Sequence, residues 1–202
     1  MSRGTPVLVV FARVPALGAV KRRLAAGIGA VAARGFYVEC TRALLRRVGG
    51  DARWRSVIAV TPDAAARRGR HWPGSVARLS QGHGDLGARM ERAMLRFPGR
   101  KVVLVGSDIP DLSADHIRRA LGALGRADLV YGPASDGGYW LVGARDGRLA
   151  RGLFRRVRWS SPHALSDTLD NAPTRRVAML EMLDDIDDAA DLERLSVRAF
   201  SA

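Results

Sequence analysis

A chain of 202 residues with 47% hydrophobic side chains is long enough for one folded domain with a proper core and is expected to be ordered, and its single cysteine excludes an internal disulfide and a cysteine-built zinc site. Its formal net charge of +13 lies in scattered arginine pairs without a zinc finger, RNP-type strand or helix-turn-helix, so an anionic small molecule is expected rather than nucleic acid. No apolar run approaches the ~20 residues of a membrane helix and the first strand starts too early for a signal peptide, so a cytoplasmic location without membrane insertion is expected.

Val7-Leu8-Val9-Val10-Phe11-Ala12 is short and continuously apolar, the pattern of a strand buried on both faces. A loop of small and basic residues follows, reaching Leu24. The next helix is expected from about Val31 to Val48, with Tyr37, Cys40, Leu44 and Val48 on one stripe and Gly49-Gly50 ending it. Ser56 to Val60 reads as a second strand. A short helix near 64–70 then precedes a weak strand at 76–79. Asp85 is placed to cap a helix that runs to about Phe97 and stops at Pro98-Gly99.

Lys101 to Val105 and Asp128 to Tyr131 are the next two strands, separated by a helix over 113–124. Tyr139 to Gly143 is a further strand, with a helix or turn after it at 149–154. Pro162 to Leu169 reads as a helix with Ser161 as N-cap and proline in its first turn. Arg175 to Leu180 is a last strand, and Asp185-Ile186-Asp187-Asp188 leads into a helix over 189–197. Strands alternating with helices indicate an α/β sandwich with a mostly parallel sheet. With no linker or repeat, residues 1–202 are expected to form one domain.

Two loop clusters carry the chemistry. Gly106-Ser107-Asp108-Ile109-Pro110-Asp111 follows one strand, and Gly132-Pro133-Ala134-Ser135-Asp136-Gly137-Gly138-Tyr139 follows the next. A parallel crossover between those strands brings both loops to one carboxyl edge, where open α/β sheets bind ligands. Asp108 and Asp136 then face one crevice, and oxygen ligands of that kind suit Mg²⁺ or Mn²⁺ alongside phosphates. Gly18, Lys21 and Arg23, after the first strand, lie at the same edge, suited to phosphate or to plain solvation. Their spacing is neither a P-loop nor a dinucleotide fingerprint. Lys21 stands out because only Lys21 and Lys101 among the 33 basic residues are lysines. Each carboxylate also has a purely local reading. Asp111 fits a turn, Asp136 before Gly137-Gly138 fits a hairpin, and Asp185 and Asp187 fit a helix start.

These residues together resemble a known family. Phe11-Ala12-Arg13-Val14-Pro15 with Gly18 and Lys21-Arg22-Arg23-Leu24, the loop from Gln81 to Gly87, Gly106 to Leu112, Gly132-Pro133 with Asp136 to Tyr139, Trp159-Ser160, and Asp185-Ile186-Asp187 with Asp191-Leu192 follow in order the pattern of bacterial DUF2064 proteins. That group is GT-A-type and glycosyltransferase-like, within the nucleotide-diphospho-sugar transferase superfamily. The resemblance implies a Rossmann-like GT-A fold, a three-layer α/β/α sandwich with a mostly parallel mixed sheet. It further implies a nucleotide or nucleotide sugar bound with Mg²⁺ or Mn²⁺. Asp108, with Asp136 or a carboxylate of Asp185 and Asp187, is then expected to hold the metal. Arg13, Gly18, Lys21 and Arg23 serve the phosphates, and the loop of Gln81 and Gly87 serves the base. Gly137, Gly138 and Tyr139 line the donor sugar or acceptor, and Asp136 is alternatively the base on the acceptor hydroxyl. Arg13 replaces the family's usual lysine, and His83 stands where many relatives carry an acid. Glycosyl transfer is the first expectation. Nucleotidyl transfer of the molybdenum-cofactor or phospholactate type, releasing pyrophosphate, is the second, and a nucleotide-binding module without turnover the third.

Overall fold

The computed structural model describes residues 4–68, 71–72, 76–184 and 186–200. In chain order the elements are β1 (Val7–Arg13), α1 (Arg22–Ile28), α2 (Ala30–Val48), β2 (Arg55–Thr61), α3 (Ala64–Arg68), β3 (Ala77–Ser80) and α4 (Leu86–Leu95). They continue with β4 (Val102–Val105), α5 (Ala114–Ala123), β5 (Leu129–Pro133), β6 (Tyr139–Ala144), a 3-10 turn (Gly147–Ala150), α6 (Ala164–Asp170), β7 (Val177–Met179) and α7 (Ala189–Phe200). Among the described residues the strands form one sheet in the order β3-β2-β1-β4-β6-β5-β7. Strand β6 is antiparallel to both its neighbours, and every other pair is parallel. This is the α/β sandwich with a mostly parallel mixed sheet that the sequence predicts.

The apolar runs are explained by burial on both faces. Along β1, Leu8, Val10 and Ala12 enter one core with Tyr37, Leu44 and Val48 of α2 and Ile117 of α5. Val7 and Val9 enter the other, with Met90 and Met94 of α4 and with Leu153 and Phe154. A side chain such as Leu8, fully buried, contributes about 1.5–3 kcal/mol by leaving water. The Asp85 cap is as the sequence reads it. Asp85 accepts the Ala88 N–H at 2.8 Å, and Ser113 forms a capping box with His116.

Two elements depart from expectation. Helix α1 lies within what reads as a loop, because Leu24 is its one buried residue and no apolar stripe announces it. Its support is tertiary. A Cβ at Gly27 would come within 2.7 Å of the Ala189 Cβ at the start of α7. Helix α6 begins at Ala164 after His163, not at Pro162. Ser161 instead folds back, donating to the Arg158 carbonyl at 2.6 Å and accepting the His163 N–H at 3.3 Å.

Because β4 and β5 are each antiparallel to β6, they are parallel to one another, with α5 as their crossover. The loops after them open at one edge. Strand β6 lies between them, which the chain order alone does not reveal.

Candidate functional site

The loop after β5 is a hairpin into β6. The Ala134 N–H donates to the Gly138 carbonyl at 3.1 Å, and the Gly137 N–H to the Ala134 carbonyl at 3.2 Å. Asp136 Oδ1 accepts the Gly138 N–H at 2.8 Å, so the carboxylate pins its own turn. Its side chain is exposed, and Oδ2 takes no hydrogen bond among the described residues, which leaves one oxygen facing the edge. The turn reading and the ligand reading of Asp136 are compatible.

Across the gap, Asp108 Oδ2 pairs with Lys21 Nζ at 2.6 Å. The same ammonium donates to Asp187 Oδ1 at 2.9 Å, and Arg23 Nη1 lies 3.7 Å from Asp187 Oδ2. The Lys21 side chain is only 5% exposed. It stands at the N-terminus of α1 in left-handed backbone, φ 48° and ψ 53°, a conformation non-glycine residues seldom adopt. Thus the loop lysine of the sequence reading is a buried strut joining the α1 start to the β4 loop and to the segment before α7. Lys21, Arg22, Arg23, Asp108, Asp136 and Asp187 line one crevice of about 490 Å³. Asp185 lies outside the described residues. Asp187 accepts in the crevice, and Asp188 is the helix cap, taking the Asp191 N–H at 2.9 Å.

Other expected site residues are held differently. Gln81 is buried, and its Nε2 donates to the carbonyls of Ala12 at 3.0 Å and Ala59 at 2.9 Å. Its Oε1 accepts from Arg89 Nη1 at 2.9 Å. The amide expected at a base is turned inward, tying the ends of β1 and β2 to α4. Gly87 is in α4, where a Cβ would meet Phe154 and Trp159 within 2.9 Å, so its place is one of close packing. Gly18, with φ 71°, is open to solvent, and the Arg13 side chain is exposed. Neither lines the crevice with Lys21. Arg13 instead acts electrostatically on Arg89, whose guanidinium is held below arginine's usual range by burial first and by the Arg13 charge second. Gly137, Gly138 and Tyr139 do reach the edge. Tyr139 lies edge-on to Tyr131 at 5.5 Å and to Trp159 at 6.4 Å, and burial pushes its phenol far up.

Tyr37 was legible only as a residue of an apolar stripe, yet its hydroxyl joins two site loops. It accepts the Arg13 N–H at 2.8 Å and a Ser107 hydroxyl bond at 3.1 Å, and donates to the Arg13 carbonyl at 3.1 Å. Tyr37→Phe leaves those groups without their partner. A loss of about 1–3 kcal/mol is expected from the unsatisfied donor, read as a lower urea midpoint with unchanged slope. An unchanged midpoint would show that the hydroxyl is not the link. Nearby Cys40 is pushed up to about 11, by burial first and the Asp108 charge next, which keeps it a thiol at neutral pH.

The donor set fits a hard divalent cation in kind. Among the described residues no three His, Cys, Asp or Glu side chains are grouped so as to hold a metal ion. Mg²⁺ does not need three, since one or two carboxylates with substrate phosphates suffice. The Lys21 ammonium already places a cation where Asp108 and Asp187 meet. Among the described residues no helix is long and apolar enough to cross a membrane.

Comparison with known proteins places this geometry in context. The structure of a protein from Desulfovibrio desulfuricans G20, provisionally named a nucleotide-diphospho-sugar transferase, is 28% identical with a TM-score of 0.86, over 95% of this chain and 86% of that one. Rv0371c from Mycobacterium tuberculosis H37Rv, in a complex with manganese, is 18% identical with a TM-score of 0.56, over 95% and 98% of the two chains. The 4-diphosphocytidyl-2C-methyl-D-erythritol synthase of Anaerococcus prevotii DSM 20548 is 11% identical with a TM-score of 0.63, over 96% and 95%. At such identities the last two show the shared fold alone. No curated protein matches the chain. The family of uncharacterized proteins conserved in bacteria, DUF2064, matches residues 44–161, which include both aspartate loops and the hairpin between β5 and β6; the chain belongs to that family.

Proposed function

We propose that the chain is a single-domain, metal-dependent transferase that moves a glycosyl group from a nucleotide-activated sugar to an acceptor hydroxyl. The observation that carries the reading is the meeting of Asp108, Asp136 and Asp187 with Lys21, Arg22 and Arg23 in one crevice at the carboxyl edge of the sheet. The name of the Desulfovibrio protein and the manganese of the mycobacterial structure support it.

Asp108 with Asp187 would hold Mg²⁺ or Mn²⁺, which when bound would neutralise charge on the diphosphate. Lys21 and Arg23 add fixed positive charge where the leaving group gains negative charge. Arg13, with Arg89 beside it, extends that field, and the Gly18 turn gives phosphate access to the backbone. The backbone of the loop held by Gln81 meets the base. The acceptor oxygen attacks the anomeric carbon, the bond from that carbon to the diphosphate breaks, and its electron pair leaves with the nucleoside diphosphate. The hydroxyl proton passes to the open Asp136 oxygen.

Nucleotidyl transfer is the second reading, favoured by the extra cationic pair of Arg13 and Arg89, which suits a longer phosphate chain. It attacks the α-phosphorus and expels pyrophosphate. Paired assays for nucleoside diphosphate and pyrophosphate, over nucleotide sugars and triphosphates with Mn²⁺, separate the two. Nucleoside diphosphate alone is expected, and pyrophosphate formed from a triphosphate would overturn glycosyl transfer. Asp108→Asn keeps size and removes one charge, so Mn²⁺-dependent nucleotide affinity should fall by about 1–3 kcal/mol. Equal affinity by calorimetry would remove Asp108 from the site.

A further inference from the structure

The two aspartates also stand at the rim of a second cavity, of about 260 Å³, which the phosphate crevice does not explain. Its walls include Phe11 of β1, Leu86 and Met90 of α4, Val142 of β6, and the rings of Tyr139 and Trp159. The side-chain oxygens on that wall belong to Asp108, Asp136, Ser160, Ser161 and Tyr139. The first four also line the crevice, and the Tyr139 hydroxyl is turned to Thr168 at 3.4 Å. Trp140 spends its indole N–H on the Glu181 carbonyl at 3.1 Å, while the indole nitrogen of Trp159 is buried without a hydrogen-bond partner. The side-chain oxygens open to a ligand are therefore gathered at the shared mouth, and the interior wall is mainly apolar.

That polarity selects a ligand. A sugar or a nucleobase carries donors and acceptors around its edge, and an interior with so few partners leaves most of them unsatisfied on leaving water. A compact apolar group loses nothing there and gains by burial. The chamber is also preorganised. Tyr131, Tyr139, Trp159 and Phe154 form a chain of ring contacts with centroids 5.5 to 6.4 Å apart, so little freedom remains to be lost on binding. A cavity of roughly 150 Å³ accepts benzene, so this one has room for a ring with a short arm or a branched alkyl chain.

Building on the transferase reading above, we propose that the acceptor is an alcohol with an aryl or branched alkyl body, held in this chamber with its hydroxyl at the Asp108–Asp136 rim. In that pose the hydroxyl oxygen forms the new bond to the anomeric carbon while the bond to the diphosphate breaks. Its proton goes to Asp136, and the apolar body stays out of the charged crevice.

Ligand-observed NMR on the intact protein tests this without turnover, using benzyl alcohol and 3-methylbut-2-en-1-ol against glycerol and glucose. The two apolar alcohols should saturate a site at least tenfold more tightly than the polyols, with transfer between the benzyl ring and the aromatic protons of Trp159 and Tyr139. Ala164 is buried and lines the chamber, so Ala164→Leu narrows it and should weaken the alcohols at least tenfold while the far-ultraviolet spectrum stays native. Should that variant fail to fold, the ring-to-ring transfer in the parent protein still decides. Equal binding of glucose and benzyl alcohol, or transfer to other residues, would overturn the proposal. So would displacement of the alcohols by a nucleoside diphosphate with Mn²⁺, which would make the chamber a base pocket. Nucleotides are titrated separately. Alcohol binding without nucleotide binding would sink the transferase reading and leave the ligand class of the chamber standing, and the reverse result would sink the chamber alone.

Discussion

Lys21→Met is expected to destabilise the metal-free protein by about 1–3 kcal/mol, and millimolar Mn²⁺ is expected to return most of the loss. Removing one member of a fully buried ion pair costs about 3–5 kcal/mol, because the remaining charge stays unpaired. Here the lysine is buried, but its partners Asp108 and Asp187 keep side-chain exposures of 25% and 43%. Water therefore screens part of the penalty. The methionine retains most of the apolar stem, so the deficit reports the charge. Without the ammonium, two carboxylates face each other, and a divalent ion answers the same need. Thermal melts of parent and variant over a Mn²⁺ series measure it. A deficit that Mn²⁺ does not touch would mean that these carboxylates serve the strut alone.

Gly137→Ala should be the more damaging change to the fold. Gly137 has φ 82°, and a Cβ there would lie 2.3 Å from the Pro162 carbonyl oxygen and 2.5 Å from its Cα. The left-handed conformation costs a residue with a Cβ roughly 1–2 kcal/mol, and backbone atoms cannot rotate aside as a side chain would. Either the hairpin or the Ser160–Pro162 segment must retreat, losing the bond from the Leu165 N–H to the Gly137 carbonyl at 3.0 Å. A total loss of about 2–4 kcal/mol is expected, together with loss of nucleotide binding, since Ser160 and Ser161 line the crevice with Asp136. Urea unfolding followed by a nucleotide titration checks both parts. Parent-like stability would contradict the close approach to Pro162.

The sequence was most readable where burial is two-sided. Strands β1, β2 and β4 are continuous apolar runs because helices cover both faces, and such runs need no long-range knowledge to recognise. The meeting of the Asp108 and Asp136 loops was legible for a related reason, since two parallel strands must send their following loops to one edge. Helix α1 was hidden because a single buried leucine makes no period. The position of β6 was hidden because order across a sheet is not order along a chain. Within the site, Lys21 could be singled out by its rarity, but its partner Asp187 lies 166 positions away, and no local pattern spans that distance. Gln81 misled by its company. Glutamine at the head of a glycine-rich loop reads as an exposed amide, whereas three side-chain hydrogen bonds turn it into the fold.

The antiparallel return of β6 between β4 and β5 has a geometric consequence for what the edge can grip. Neighbouring strands stand about 4.8 Å apart. Interposing β6 sets the parallel strands β4 and β5 roughly 9.6 Å apart, but the hairpin that carries Asp136 closes that span, because its far root is the start of β6 itself. There the Gly106 N–H, at the root of the Asp108 loop, donates to the Trp140 carbonyl at 3.3 Å. Strand β6 is thus a common gatepost: the Asp108 loop leaves beside it and the Asp136 loop returns along it. Its register with Val102 to Val105 ties both aspartate loops to one strand, so the edge grips with the two from a single base.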